Sequence, residues 1–312
     1  MLGLSAALHL NHIKKRRSCM KMILMAAVAL ACITSGAAVL RAQDQTSPIP
    51  KVLLIDREMV KFGKDAPHAK NEAAFAKAFA SAKSPGRYLA VTTMSGPSEA
   101  WFLVGFDSYA EWEKADQYDE QHKVDDLVAP LIEKDTEYVS DGNQVVATYN
   151  EKWSYRPGMN IAEMRYFEVE TIRLRAGHDK DWEDIAALYK ATAEKINLDE
   201  HDIFFEARYG APNGTLYIFT PRKSLADLDA AIGTGKAFDD ALGADGQKKW
   251  AQLLEAAIAT DSTTLVRFSP EMSYAPDDWV KADPGFWKPK PSMAPKAPGS
   301  ATKRPVEPAS KN

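Results

Sequence analysis

The sequence predicts an α+β protein in which two tandem copies of one βαββαβ unit, each of about a hundred residues, pack sheet against sheet. Three observations predict it. Apolar runs of period two and period 3.6 follow one another as strand, helix, strand, strand, helix, strand, and then do so again. Clusters of turn-forming residues punctuate the two halves at corresponding places. Three short stretches match between the halves in the same order: His68-Ala-Lys with His178-Asp-Lys at an offset of 110, Ser108-Tyr-Ala-Glu with Ser224-Leu-Ala-Asp at 116, and Trp153-Ser-Tyr-Arg-Pro with Met272-Ser-Tyr-Ala-Pro at 119. The offset grows only in loops, where insertions are tolerated.

In the first unit, residues 51–157, the apolar run Val52-Leu53-Leu54-Ile55 opens a strand that continues through Met59 to Phe62. A helix is expected from about His68 to Lys83, with Phe75, Phe79 and Ala82 at helical spacing, and Ser84-Pro85-Gly86 ends it. Tyr88–Met94 and Trp101–Phe106 read as a hairpin around Ser95-Gly96-Pro97-Ser98. A second helical region runs from Ser108 to about Glu133 with an interruption at Pro130, and Val145–Tyr149 is the fourth strand. The second unit, residues 164–276, repeats the order. It has a strand at Arg165–Leu174 and a helix at Asp179–Asn197 with Trp182, Ile185, Leu188, Tyr189 and Thr192 on one side. The hairpin Ile203–Tyr209 with Leu216–Phe219, helices at Ser224–Ile232 and Asp245–Ala259, and a last strand at Thr264–Phe268 follow.

The ends differ from the middle. Five basic residues (Lys14, Lys15, Arg16, Arg17, Lys21) precede an apolar run from Met22 to Leu40, and no acidic residue occurs before Asp44. This is the pattern of an export signal spanning residues 1–42, with cleavage expected near Ala42-Gln43, Ala37 being the alternative, and a periplasmic or extracellular destination for the mature chain. A retained membrane anchor is the competing reading. Arg16-Arg17-Ser18-Cys19-Met20-Lys21 is similar to a twin-arginine motif, but a start at Met20 or Met22 would leave an ordinary secretory signal, which is the preferred reading. The only cysteines, Cys19 and Cys32, lie in this segment, so the mature chain is expected to have no disulfide, thiolate nucleophile or cysteine-held metal. From Lys281 to Asn312 the chain is rich in Lys, Pro, Ala and Ser without periodicity and reads as a disordered basic tail, able to contact an anionic envelope surface. Trp279, Phe286 and Trp287 are placed to dock on the body before it. Between these ends stand 26 basic and 41 acidic residues, a net charge of −15, which argues against nucleic-acid binding.

A four-stranded antiparallel sheet with both helices on one face, the ferredoxin-like pattern, leaves its other face bare. Two copies in one chain can cover each other's bare faces, so a monomer would act as a pseudo-dimer and a ligand site would lie between the sheets. Strand parity then nominates Glu58, Glu168, Glu170, Glu206, Arg208 and Arg267 as residues directed into that space. They would form either an ion-pair network holding the sheets together or a polar pocket. His68 and His178 start the two first helices at matching positions and read as exposed; no second ligand lies at metal spacing, so no metal site is expected. Phosphate loops, nucleophile elbows and His-Glu-x-x-His pairs do not occur.

The tandem pattern and its aromatic-rich helix–strand seams resemble the dimeric α/β-barrel superfamily, which includes antibiotic-biosynthesis monooxygenase-like and NIPSNAP-like proteins. The resemblance covers residues 51–157 and 164–276 and rests on pattern rather than a diagnostic motif. It implies a barrel closed within one chain. It also implies a loose likeness of Trp112 and His122 to the Trp and helix-borne His of haem-degrading relatives, although the second unit lacks both residues. The expectation is an exported small-molecule-binding or stress-associated protein that is not catalytic and needs no cofactor. A cofactor-independent monooxygenase-like enzyme and a haem-binding protein stand as alternatives, and a purely structural module is the third.

Overall fold

The computed structural model describes residues 46–288. The segment expected to be an export signal, residues 1–42, and most of the tail expected to be disordered lie outside the described residues. The chain forms an α+β fold around a closed, wholly antiparallel barrel of eight strands. These are β1 (Val52–Val60), β2 (Tyr88–Thr93), β3 (Glu99–Phe106), β4 (Val139–Tyr149), β5 (Tyr166–Leu174), β6 (Ile203–Tyr209), β7 (Thr215–Arg222) and β8 (Ile258–Phe268). Around the circle they run β4-β1-β3-β2 and then β8-β5-β7-β6, so corresponding strands of the two halves occupy corresponding places. The seams between the halves are β2 with β8 and β6 with β4.

Helices cover the outside. In the first half α1 (Asp65–Ala82), α2 (Tyr109–Gln121) and α3 (Val124–Asp135) lie there; in the second, α4 (Asp179–Lys195), α5 (Ala226–Ile232) and α6 (Thr234–Ala257). The expected break at Pro130 falls elsewhere: Pro130 sits inside α3, and the chain turns instead at Lys123, in the left-handed region with φ 54°. Similarly, α6 is bent at Gly243, whose φ of 68° no helical residue adopts. After β8, α7 (Asp277–Ala282) and α8 (Pro284–Trp287) fold back across one end of the barrel. Trp287 is buried there, against Phe268, Trp279 and Phe286, and its indole N–H donates to the Ala162 carbonyl at 2.8 Å. The aromatic docking expected before the tail is present.

The repeated Ser-Tyr-x-Pro stretches, 119 residues apart, make a reciprocal clasp. After β4, Ser154 Oγ accepts the Phe204 N–H on β6 and Tyr155 forms a bridge with Asp202, its hydroxyl donating to the Leu198 carbonyl. After β8, Ser273 Oγ accepts the Ala90 N–H on β2 and Tyr274 forms a bridge with Tyr88, its hydroxyl donating to the Ser84 carbonyl. Each half thus satisfies backbone groups of the other at the sheet seam, where an uncovered strand end would leave them exposed.

The core has layers. Inside the barrel, Leu53, Ile55, Trp101, Val169, Phe205, Tyr217, Phe219 and Phe268 pack in one cluster. Outside, α1 and α3 enclose Phe75, Phe79, Tyr88, Phe102 and Val128, while α4 and α6 enclose Ile172, Trp182, Phe204 and Ile218. Alternation along β1 sends Leu53 and Ile55 inward and Leu54, Asp56 and Glu58 towards the helices; in β5, Phe167 and Val169 go inward and Glu168, Glu170 and Ile172 outward.

Candidate functional site at one mouth of the barrel

An eight-stranded barrel encloses just enough space for its own inward side chains. Most of this lumen is filled by the apolar cluster above. At the end where β1 begins, the filling stops short and leaves a cavity of about 310 Å³. Its floor is Leu53, Leu89, Leu103, Phe167, Phe205 and Phe219, contributed by six different strands. Three non-strand segments form its rim: Ser47–Pro50 before β1, Pro157–Ile161 between the halves, and Pro276–Trp279 at the start of α7.

These rim segments are held in place. The Ser47 N–H donates to the Met159 carbonyl at 2.8 Å, and the Ser47 hydroxyl accepts the Ile161 N–H at 3.0 Å. Gly105 allows Pro50 to lie across the sheet, since a Cβ there would stand 2.8 Å from the proline ring. Arg87 stacks over the Tyr274 ring at 4.0 Å and pairs with Asp277 at 3.3 Å, so its guanidinium is committed at the rim. Asp107 and Asp278 complete the polar groups of the lining besides Ser47. The site is an apolar bowl with a sparse polar lip, able to bury a compact ligand but offering no acid–base pair at its floor.

The opposite end of the lumen is polar. Arg57 lies over Trp101 at 4.2 Å and donates twice to Glu99 Oε2, at 3.0 and 2.6 Å, while the Trp101 N–H donates to the same oxygen at 2.7 Å. Tyr217 joins them: burial pushes its phenol up, and the charge and hydrogen bond of Arg57 work the other way. This group closes the barrel with a satisfied ion pair. Its four members come from three strands with no local pattern to mark them in the sequence.

None of the six residues expected between the sheets enters the lumen. Glu58 is buried on the helix side of β1, 2.9 Å from His68 Nε2. Glu168 accepts from Arg222 at 2.7 Å on the outer face. Glu170 faces the α4–α6 layer, where burial first, then Asp261 and Asp202, raise its carboxyl to about 7. Glu206 and Arg208 form a two-point pair at 2.9 Å with each other on the outer face. Arg267, between inward Val266 and Phe268, is exposed beside Tyr166, 6.0 Å from its ring. Alternation groups these residues correctly, but the face they share is the outer one. A lumen only one side chain deep excludes unpaired charge, whereas the helix layer has solvent at its margins to receive it.

The histidine readings also change. His68 is buried, not exposed. It does not match His178 in space, because the bulge between Met59 and Val60 in β1 recurs between Arg173 and Leu174 in β5, a shift of 114 rather than 110. By that register His178 matches Lys64, each standing just before its helix, and His68 matches Trp182. The haem pairing does not assemble. Trp112 stacks on Phe106 at 6.1 Å, while His122 is exposed at the far end of α2, stacked on Tyr118 at 3.8 Å. Among the described residues no histidine lines the barrel-mouth cavity, so the residues present there do not fit a histidine-held haem.

No family model matches the sequence, and no curated protein matches it. Among solved structures, the chain is similar to an anthrone oxidase-like protein, with 9% identity over 70% of this chain and 91% of that one and a TM-score of 0.48. It is similar to a mutant chlorite dismutase from Candidatus Nitrospira defluvii at 12% identity, covering 75% and 96% with a TM-score of 0.43. A haem-binding protein from Thermus thermophilus aligns at 8% identity over 78% and 98%, with a TM-score of 0.41. These neighbours belong to the dimeric α/β-barrel superfamily; likeness at this level concerns architecture, and no ligand or activity is carried over from it.

Proposed function

We propose that the protein binds a compact, mainly apolar small molecule at the mouth of the barrel and performs no chemistry on it. The observation that supports this reading is the 310 Å³ apolar cavity with its pinned three-segment rim. Its volume lies at the small end of the range for ligand sites. Binding is favoured over a monooxygenase-like reaction because the floor of the cavity is hydrocarbon and aromatic carbon, and the ionisable groups of the lining stand at its lip. The chain acts in this proposal as a monomer, with units 51–157 and 164–276 standing in for the two subunits of a dimeric ferredoxin-like barrel. It is exported after loss of residues 1–42, and its basic tail rests on an anionic envelope surface.

The test is a fluorescence titration with 1-aminoanthracene, a neutral apolar probe. One saturable site per chain is expected. Met159→Trp, which adds bulk from a rim segment outside the barrel strands, should abolish that site while leaving the circular dichroism spectrum unchanged. Absence of a saturable site in the wild-type protein, or equal binding by the variant, would overturn the proposal.

A further inference from the structure

Between the barrel and the first-half helices, four ionisable side chains meet. Glu58 comes from β1, His68 and Glu72 from successive turns of α1, and Asp135 from the last residue of α3; all four are buried. His68 Nε2 lies 2.9 Å from Glu58 Oε2, 3.7 Å from Asp135 Oδ1 and 3.9 Å from Glu72 Oε1. One potential ligand atom from each residue lies within 4.8 Å of all the others. Asn71 donates to Asp135 Oδ1 at 3.2 Å and to the Leu131 carbonyl at 3.0 Å, fixing the carboxylate that the end of α3 supplies.

Two features make this more than a cluster of acids. Glu72 Oε1 and Glu58 Oε1 are buried and have no hydrogen-bond partner. Among the described residues, the ion-pair contacts of Glu58, Glu72 and Asp135 are to His68 alone, with no lysine or arginine in reach. The second half also shows that the fold does not require these groups. At the equivalent positions, by the bulge register, Glu58, His68 and Glu72 are replaced by Ile172, Trp182 and Ala186, which pack as ordinary core. Three carboxylates around one imidazole, at positions three of which the other half fills with apolar side chains, point to a counter-ion.

We propose that Glu58, His68, Glu72 and Asp135 bind one divalent first-row transition-metal ion, such as Zn²⁺, Mn²⁺ or Fe²⁺. One imidazole with three carboxylates is a mixed nitrogen and oxygen set that suits these ions better than Ca²⁺ or Mg²⁺. Ligand bonds of about 2.0–2.2 Å in a tetrahedron place ligand atoms roughly 3.3–3.6 Å apart, within the spread found around His68 Nε2. Four protein ligands and burial make the site closed, so the ion braces β1 against α1 and α3 and is not an open catalytic centre. A cavity of about 110 Å³ lined by Glu72, Asp56, Asp116 and Asp119 gives a cation an acidic approach. Spacing does not mark the site in the sequence because its four ligands come from three separate elements, and only His68 and Glu72 share a helix face.

The experiment uses the full chain, stripped with chelator and then incubated separately with ZnCl₂, MnCl₂ and, anaerobically, FeSO₄. Bound metal is counted by plasma mass spectrometry after gel filtration, and melting temperature is recorded with and without metal. One equivalent of at least one ion per chain is expected, with a rise in melting temperature. Glu72→Gln and His68→Ala should each lower occupancy at least tenfold, while His178→Ala should leave it unchanged. The triple replacement Glu58→Ile, His68→Trp and Glu72→Ala copies the second-half packing, so it should fold, bind no metal and show a melting temperature indifferent to added ion. Failure of the wild-type protein to retain any of the three ions, or retention by Glu72→Gln or the triple variant at the wild-type level, would overturn the proposal.

Discussion

Glu170 offers a direct energetic test of where the strand charges point. It lies on the helix side of β5, in a cavity of about 210 Å³ whose other walls include Trp182, Tyr189, Trp250 and Leu254. Burial, Asp261 and Asp202 raise its carboxyl from an ordinary value of 4.5 to about 7. An acid with a raised folded-state pKa behaves opposite to a salt-bridged one. Below pH 4.5 it is protonated in both states and has no effect; between pH 4.5 and 7 the folded state holds the proton that the unfolded state releases, so stability falls as pH rises, and above 7 the loss is complete. A displacement of this size corresponds to about 3 kcal/mol at most, and the partial exposure of Glu170 reduces it to roughly 2 kcal/mol. Glu170→Gln removes the titration but keeps the shape. Urea denaturation of both proteins from pH 4 to 8.5 gives the difference curve, in which other titrating groups cancel. The variant should match the wild-type protein near pH 4 and be more stable by about 2 kcal/mol at pH 8. A difference curve flat across this range would refute the placement of Glu170 in the layer between β5 and the helices.

Four further substitutions probe the frame around the site. A Cβ at Gly210, whose φ is 80°, would stand 1.9 Å from the Gln144 carbonyl oxygen at the β6–β4 seam; Gly210→Ala should therefore cost more than ~2 kcal/mol in urea denaturation. Trp287→Ala removes the buried indole that packs on Phe268 and should cost about 3 kcal/mol by the same assay, with the barrel mouth opened to fluorescence quenchers. Ser273→Ala leaves the buried Ala90 N–H without its acceptor and should cost about 1–3 kcal/mol, as should Ser154→Ala for the Phe204 N–H. The two serine effects should add, because the clasps share no residue.

Much of the scaffold was legible because periodicity is a local signal. The alternation of Leu53, Ile55 and Met59 against Asp56 and Glu58, and the helical spacing of Phe75 and Phe79, place β1 and α1 without tertiary information. The Ser-Tyr-x-Pro repeat is visible as a match between the halves, because both copies perform the same backbone work, but the clasp they build is not written in it. What was not legible depends on which side of a strand closes the barrel. Parity groups residues but does not name the inner face, so Glu58, Glu168 and Glu170 were given to the lumen when they belong to the helix layers. A repeat offset of 110 also paired His68 with His178. The true shift of 114, marked by a β-bulge with no residue signature of its own, pairs His68 with Trp182 and reveals the contrast between the two layers. The barrel-mouth cavity escaped because six strands and three connections build it, and no short stretch contains it.

The proposed ligand site is the apolar mouth of the barrel. Methyl-selective NMR of the full chain during titration with 1-aminoanthracene tests it most directly. Methyl resonances of Leu53, Leu89, Leu103 and Ile203, which line the mouth, should shift together and saturate at one equivalent, while those of Ile172, Ile185 and Ile218 in the α4–α6 layer stay in place. Shifts confined to the second group, or no saturable shift in the first, would contradict the account.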